Sequence, residues 1–281
     1  MSAAAVTEAP AEHGALPRRA FVEQIMGLPI SIHVRGPRAR DEAVERAVER
    51  AFGELRADDE MFSTWKPDSP VSRIRDGRDA LEAAHPRIRR AAALCELAGQ
   101  RTGGAFSAWL PDSSGTLRFD PTGLVKGWAV EQALEGLVGR LASLGEHDVL
   151  VNAGGDIAVH CERTDTPDWT IAVEDPRDRS RVIQRFGMRR GAVATSGSAA
   201  RGRHITDPST GAPAAHLLAA TVVGPSLTWA DVYATAAFVL GRGGLGWLAT
   251  RRHHAGILVD HDGQVITVRA DPRTGRGSIA A

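Results

Sequence analysis

Apolar and polar positions change their period several times along this chain, and each change marks an element. Between residues 28 and 35, Ile30, Ile32 and Val34 alternate with Ser31, His33 and Arg35, the two-residue period of a half-buried strand. With the residues from Ala20 onward this predicts a strand pair, in which His33 reads as a sheet-surface side chain. The period then lengthens. Ala43, Val44, Ala47, Val48, Ala51, Phe52 and Leu55 recur at helical spacing and predict an amphipathic helix over 38–61, acidic near its start. A second helix is predicted over 86–102, stopped by Gly103 and Gly104. Between these helices lies FSTWKPDSP, turn-forming chemistry with Trp65 in its middle, and after the second come Phe106 to Leu110 and a plain turn at 111–115.

The later half reads as strands interrupted by helices. The segment FDPTGLVKGWAVEQA passes from a turn into a helix. DVLVNAGGDI predicts an apolar strand that breaks at Gly154 and Gly155, and residues 169–173 alternate until Asp175 and Pro176 close them. Short strands are expected at 192–194 and 219–223, a helix at 226–240 that ends in the glycines of 241–246, and a closing hairpin of 256–259 with 264–268 around Asp262 and Gly263.

Composition narrows the class. The 281 residues carry 34 basic and 34 acidic side chains, so no net charge draws the protein to nucleic acid or an anionic membrane. Cys95 and Cys161 stand in no metal-ligand spacing, and Cys95 falls in an apolar helical run, which reads as core. No apolar run approaches the ~20 residues that span a bilayer. Residues 1–19, rich in Ala, Glu and Pro, are expected to form a disordered tail with no apolar core of a signal peptide, which places the protein in the cytoplasm by default. Residues 20–270 are expected to fold as one unit and 271–281 to form a flexible tail.

Candidate chemistry concentrates in GAVATSGSAARGRHITDPSTGAP. Thr195, Ser196 and Gly197 end an apolar strand where hydroxyls and backbone N–H groups can approach an anion. His204 and Asp207 follow at i, i+3, a pair that suits a rigid loop over a site but that, alone, reads as a surface turn. Lys126 stands between Gly123 and Gly127 near a helix start, a setting that suits a phosphate, although it is not a Walker A motif. Gly154 and Gly155, beside Asn152 and Asp156, read as a tight turn or as a place where a ligand crosses a strand end. Trp65 reads as a lid over an apolar edge or a stacking surface for a flat ring. Asp231 and Thr235 lie one turn apart on one face of an apolar helix. Two hard oxygens so placed suit Mg2+ with substrate phosphate completing its shell, and an Asp–Arg pair fits them equally well.

Taken in order, several of these blocks resemble the FAD:protein FMN transferase family, also called ApbE-like. Met26 with Gly27, FSTWKPDSPVSRI, GGAF, DPTGLVKGWAVEQA, VNAGGDI, ATSG with HITDPSTG, and WADVYATAAFVLG cover residues 21–269 in family sequence order. The resemblance implies an α+β fold of mixed, largely antiparallel sheets with packed helices, ApbE-like and T-fold-like, in a single compact unit with FAD in a central cleft. It implies Mg2+-dependent cleavage of the FAD pyrophosphate, with FMN moved to a Thr or Ser hydroxyl of an acceptor protein and AMP released.

Carried onto this chain, the resemblance makes Asp231, Thr235 and the carbonyl of Val125 metal ligands. It puts Lys126 and Gly127 beside the flavin nucleotide, Glu131 on the adenosine half, and Trp65 in stacking contact. It assigns Met26, Ala105, Phe106, Asp120, Gly154, Gly155, Asp156 and the turn Thr195, Ser196 and Gly197 to nucleotide contacts. His204 becomes the candidate that accepts the acceptor hydroxyl's proton or orients that hydroxyl, with Asp207 orienting the imidazole. Residues 198–200 and Ser107 depart from the family pattern and bear on efficiency or acceptor choice. Two alternatives use the same residues: an FAD pyrophosphatase with water as acceptor, and a non-catalytic FAD-binding protein.

Overall fold

The computed structural model describes residues 4–6, 16–112, 114–197, 205–270 and 277–280. The alternation in the first hundred residues becomes a hairpin of β2 (Arg18–Ile25) and β3 (Leu28–Arg35). Met26 and Gly27 both take positive φ, 55° and 70°, the geometry of a two-residue hairpin turn that suits glycine at its second position. Helix α1 (Glu42–Phe62) starts later than the apolar spacing predicts. Asp41 is extended, with φ −69° and ψ 146°, and residues 38–41 form a turn closed by the Asp41 N–H to Arg38 carbonyl bond of 2.9 Å.

Short elements follow that lie below the resolution of periodicity. Helix α2 (Pro70–Arg75) has Pro at its first position and Ser69 as its cap, accepting from the Ser72 N–H at 3.0 Å. Helix α3 (Pro86–Thr102) ends at Gly103, φ 62°, as the two glycines predict. The expected plain turn is a hairpin of β4 (Trp109–Pro111) and β5 (Leu117–Phe119), and α4 (Thr122–Leu141) follows it. DVLVNAGGDI divides into β6 (Asp148–Ala153) and β7 (Asp156–Cys161), so Gly154 and Gly155 form the turn between two paired strands.

The remaining elements are β8 (Trp169–Asp175), β9 (Asp178–Met188), β10 (Arg190–Gly197), β11 (Ala219–Gly224), α5 (Leu227–Leu240), α6 (Gly243–Ala249), β12 (Ala255–Val259), β13 (Val265–Ala270) and β14 (Gly277–Ala280). Near the start of the chain, β1 (Ala4–Val6) pairs with β8. The Thr195, Ser196 and Gly197 segment is thus the end of β10, in register with residues 219–221, and not a turn.

Nine strands form one sheet in the order β14-β13-β12-β11-β10-β7-β6-β3-β2, every pairing antiparallel. A three-stranded sheet, β1-β8-β9, lies apart from it. Alternation along β10 feeds two cores. Ala192 and Ala194 join the larger one with the buried faces of α1, α3, α4 and α5, while Val193 joins a smaller one with Trp169 and Ile171 of β8. Phe119 and Phe238 are fully buried in the larger core, each contributing about 2–3 kcal/mol by removal from water. The fold is α+β with largely antiparallel sheets and packed helices. Among the described residues no helix is long and apolar enough to cross a membrane.

Candidate active site

At the centre of the large sheet, the start of β7 and the end of β10 face the start of α4 and the second turn of α5 across a cavity of about 240 Å3. Each wall has a local cause. Asp120 opens α4: its Oδ1 accepts from the Thr122 N–H at 3.0 Å and the Thr122 hydroxyl at 2.6 Å, an aspartate turn that starts the helix. Gly123 permits the approach of the Phe106 ring, since a Cβ there would stand 3.2 Å from the ring edge. At Gly127 a Cβ would stand 3.0 Å from the Cβ of Asp231 and 3.1 Å from the Leu227 carbonyl. Glycine is what lets α4 lie directly against α5.

That approach brings Lys126 to two carboxylates. Its ammonium donates to Asp231 Oδ2 at 2.7 Å and to Asp156 Oδ2. Both acidic side chains are 7% exposed. Asp156 also accepts the Thr195 N–H on Oδ1 at 3.0 Å, which fixes the start of β7 to the end of β10. One turn along α5 from Asp231, the Thr235 hydroxyl shares a 3.0 Å hydrogen bond with Ser196. On the opposite face of β10, Thr195 shares one of 2.9 Å with its cross-strand partner Thr221, which is 1% exposed. Thr221 is a contact that the sequence shows only once the register of β10 and β11 is known.

Most of the expected site residues line this cavity: Ala105, Phe106, Asp120, Lys126, Gly154, Asp156, Thr195, Ser196, Gly197, Asp231 and Thr235. Others stand elsewhere. Gly127 lies behind the wall in the helix contact, and Gly155 donates its N–H to Asn152 within the β6–β7 turn at 2.8 Å. Met26 sits in the β2–β3 turn, packed against the core, while its neighbour Leu28 reaches the cavity. Val125 is 3% exposed and does not line the cavity, whereas Gly123, two residues earlier, does. Trp65 is 93% exposed in a surface depression beside Pro67 and Pro70.

Glu131 is engaged at the start of α5. It accepts from the Ser226 hydroxyl at 3.0 Å, the Leu227 and Thr228 N–H groups at 3.2 Å each, and the Thr228 hydroxyl. Asp207 closes its own turn, its Oδ1 accepting from the Ser209 N–H at 2.8 Å and the Ser209 hydroxyl at 2.7 Å. The Ser209 hydroxyl holds the Asp207 carboxyl below the usual carboxylate range. His204 lies outside the described residues, as do residues 198–200. The loop beyond it returns to the cavity at Ile205, Thr206 and Pro208. Ser107, also on the cavity, bonds the Trp109 carbonyl and N–H at 3.0 Å each.

The donor set suits a hard divalent cation. Asp231, Thr235 and Asp156 offer only oxygens, and among the described residues no group of three or more His, Cys, Asp or Glu side chains gathers as a closed cage. One or two carboxylates with a hydroxyl is what Mg2+ takes when substrate phosphates complete its shell.

Comparison with known proteins places the chain in a family. A sequence model described as the ApbE family matches residues 107–258, the span that contains α4, β6, β7, β10 and α5. The chain is 32% identical over 133 residues to the FAD:protein FMN transferase of Haemophilus influenzae, 43% of this chain and 37% of that protein. It is 32% identical over 136 residues to the Vibrio cholerae protein of the same name, 44% of this chain and 39% of that protein. The matched stretch therefore spans well under half the length of these curated relatives. Among solved structures, the flavinyl transferase ApbE of Pseudomonas stutzeri superposes with a TM-score of 0.71 at 27% identity, over 92% of this chain and 95% of that one. An ApbE protein of Thermotoga maritima shares the fold, with a TM-score of 0.75 at 21% identity over 89% and 96%. The chain belongs to the ApbE family.

Proposed function

We propose that this protein is an FAD:protein FMN transferase that cleaves the FAD pyrophosphate and attaches FMN to a Thr or Ser hydroxyl of an acceptor protein. The observation that carries the reading is the convergence of Lys126, Asp156 and Asp231 on one cavity, next to the Thr235 and Ser196 hydroxyls. In the reaction the acceptor oxygen bonds to the FMN phosphorus, the bond from that phosphorus to the bridging oxygen breaks, and AMP leaves with the electron pair. Such transfers depend mainly on positioning and charge neutralisation.

Asp231 and Thr235, with Asp156 opposite, would hold Mg2+, which when bound neutralises charge on the pyrophosphate. Lys126 supplies a second positive charge to the same oxygens. Gly154 leaves backbone open beside the ligand, Phe106 gives an apolar wall, and Asp120 keeps the start of α4 in place. The residue proposed to take the hydroxyl proton is His204.

The test is incubation of the purified protein with FAD, Mg2+ and candidate acceptors, following AMP, free FMN and protein-bound flavin. Transfer gives AMP and covalently flavinylated acceptor in equal amounts. AMP with only free FMN would establish hydrolysis, and bound but intact FAD would remove both reactions.

A further inference from the structure

Asp156 and Asp231 come from different elements, the start of β7 and the second turn of α5, yet both aim a nearly buried carboxylate at one ammonium. Two buried carboxylates at this range repel each other and each loses hydration, so a cation between them is an electrostatic requirement. The oxygen of Asp231 that Lys126 holds is Oδ2, and among the described residues Oδ1 accepts no hydrogen bond. A divalent ion on Asp231 and Thr235 would therefore stand beside the ammonium and compete with it.

The backbone cannot relieve that competition. Gly127 leaves no room for α4 to move closer to α5, and Glu131 fastens the start of α5 to α4 through four hydrogen bonds. Asp156 is held in place by the Thr195 N–H. The side chain of Lys126 is the movable part: a flexible four-carbon stem that lines the cavity and can swing into it.

We propose that Lys126 is a built-in counter-cation that keeps the Asp156–Asp231 pair closed to divalent ions until a diphosphate enters and draws the ammonium away. Metal and diphosphate then bind cooperatively, because the diphosphate gives both cations an anionic partner. This rests on the reading of the cavity as a cation and pyrophosphate site and adds the order in which it fills.

The full-length protein is titrated with Mn2+ without nucleotide, with free Mn2+ followed by electron paramagnetic resonance. Removing one unit of positive charge a few ångströms away should tighten Mn2+ binding by about tenfold or more in Lys126→Met. Lys126→Gln, neutral but polar, should show the same gain and serves if the methionine variant does not fold. Lys126→Arg keeps the charge and should stay within about threefold of the wild type. A neutral variant that binds Mn2+ no more tightly than the wild type overturns the inference, as does an arginine variant that gains as much as the neutral ones. Wild type and variants that all ignore Mn2+ likewise overturn the inference, while Mg2+-dependent AMP release from FAD tests the proposed reaction separately.

Discussion

The carboxylate of Glu131, on the third turn of α4, receives the hydroxyl of Ser226 at 3.0 Å and thereby holds the residue that caps α5. Five residues beyond Ser226, Asp231 faces Lys126. Glu131 is thus a positioning residue that acts through the start of α5. Glu131→Ala should cost about 2–4 kcal/mol, because it leaves two backbone N–H groups and two hydroxyls without their acceptor. Urea unfolding measures it. Glu131→Gln, which keeps one amide oxygen, should recover part of the stability and of the FAD-cleaving rate, and a glutamine variant as impaired as the alanine would contradict this role.

Gly127→Ala tests the closeness of α4 and α5. The added methyl would stand 3.0 Å from the Asp231 Cβ and 3.1 Å from the Leu227 carbonyl. Overpacking of this kind costs about 1–3 kcal/mol, and the better helix propensity of alanine returns only about 1. The melting temperature should fall, and FMN transfer should fall further than stability alone accounts for. Gly139→Ala, in the same helix with nothing within 4 Å of its added Cβ, should stabilise instead.

Asp231→Ala should reduce Mg2+-dependent AMP release by at least about a hundredfold, the scale of a lost metal ligand in phosphoryl transfer. Circular dichroism of the same sample separates loss of chemistry from loss of fold. Activity within tenfold of the wild type would take Asp231 out of the reaction.

Asp148 of β6 lies opposite Arg35 of β3 and is fully buried, accepting from Arg35 at 2.8 and 3.1 Å, the Arg163 N–H at 3.1 Å and the Thr166 hydroxyl at 2.5 Å. Burial pushes its carboxyl up, but the bonds from Thr166, Arg35 and Arg163 together outweigh it and hold the group below the usual range. A carboxylate lowered in the folded state stabilises fully above its unfolded value of about 3.9 and loses that contribution as pH falls through the folded value. Asp148→Asn should therefore cost about 3 kcal/mol near pH 7 and progressively less below about pH 4. Paired denaturation curves across that range give the comparison, and a constant difference would contradict it.

Burial pushes the Cys95 thiol up to about 12 and the Cys161 thiol up to about 11. Both are free and buried. At pH 8 the folded protein should leave Ellman's reagent unreacted, and guanidinium should release both thiols. A thiol that titrates rapidly in the folded state would place one of them at the surface.

How much of this was legible in the chain follows from what each signal measures. Long periodic segments announce themselves: α3 ends where Gly103 and Gly104 predict, and the β2–β3 alternation survives intact. Three-residue strands such as β4 and β5 are shorter than any period that could reveal them, and the polar, arginine-rich β9 carries no strand pattern because it packs few side chains. Lys126, Asp231 and Thr235 stood out by residue type and spacing. Their grouping with Asp156, and the Thr195 and Thr221 pair, depend on strand order and register, which local sequence does not carry. Glu131 shows the same limit from the other side. Its position in a recognisable block identified the residue, and only the approach of two helices shows what its carboxylate holds.

Lys126 and Asp231 are 105 residues apart in sequence, and Asp156 and Thr195 are 39 apart. Each contact closes a long loop, and loop closure must be offset before the contact can contribute. The cavity is consequently absent from any partly folded chain that has not yet joined β7 to β10 in the middle of the sheet. No local fragment holds both halves of the Lys126 cluster, so a half-made protein has neither the converging charges nor the wall of the proposed site. Completion of the sheet is what assembles the cavity.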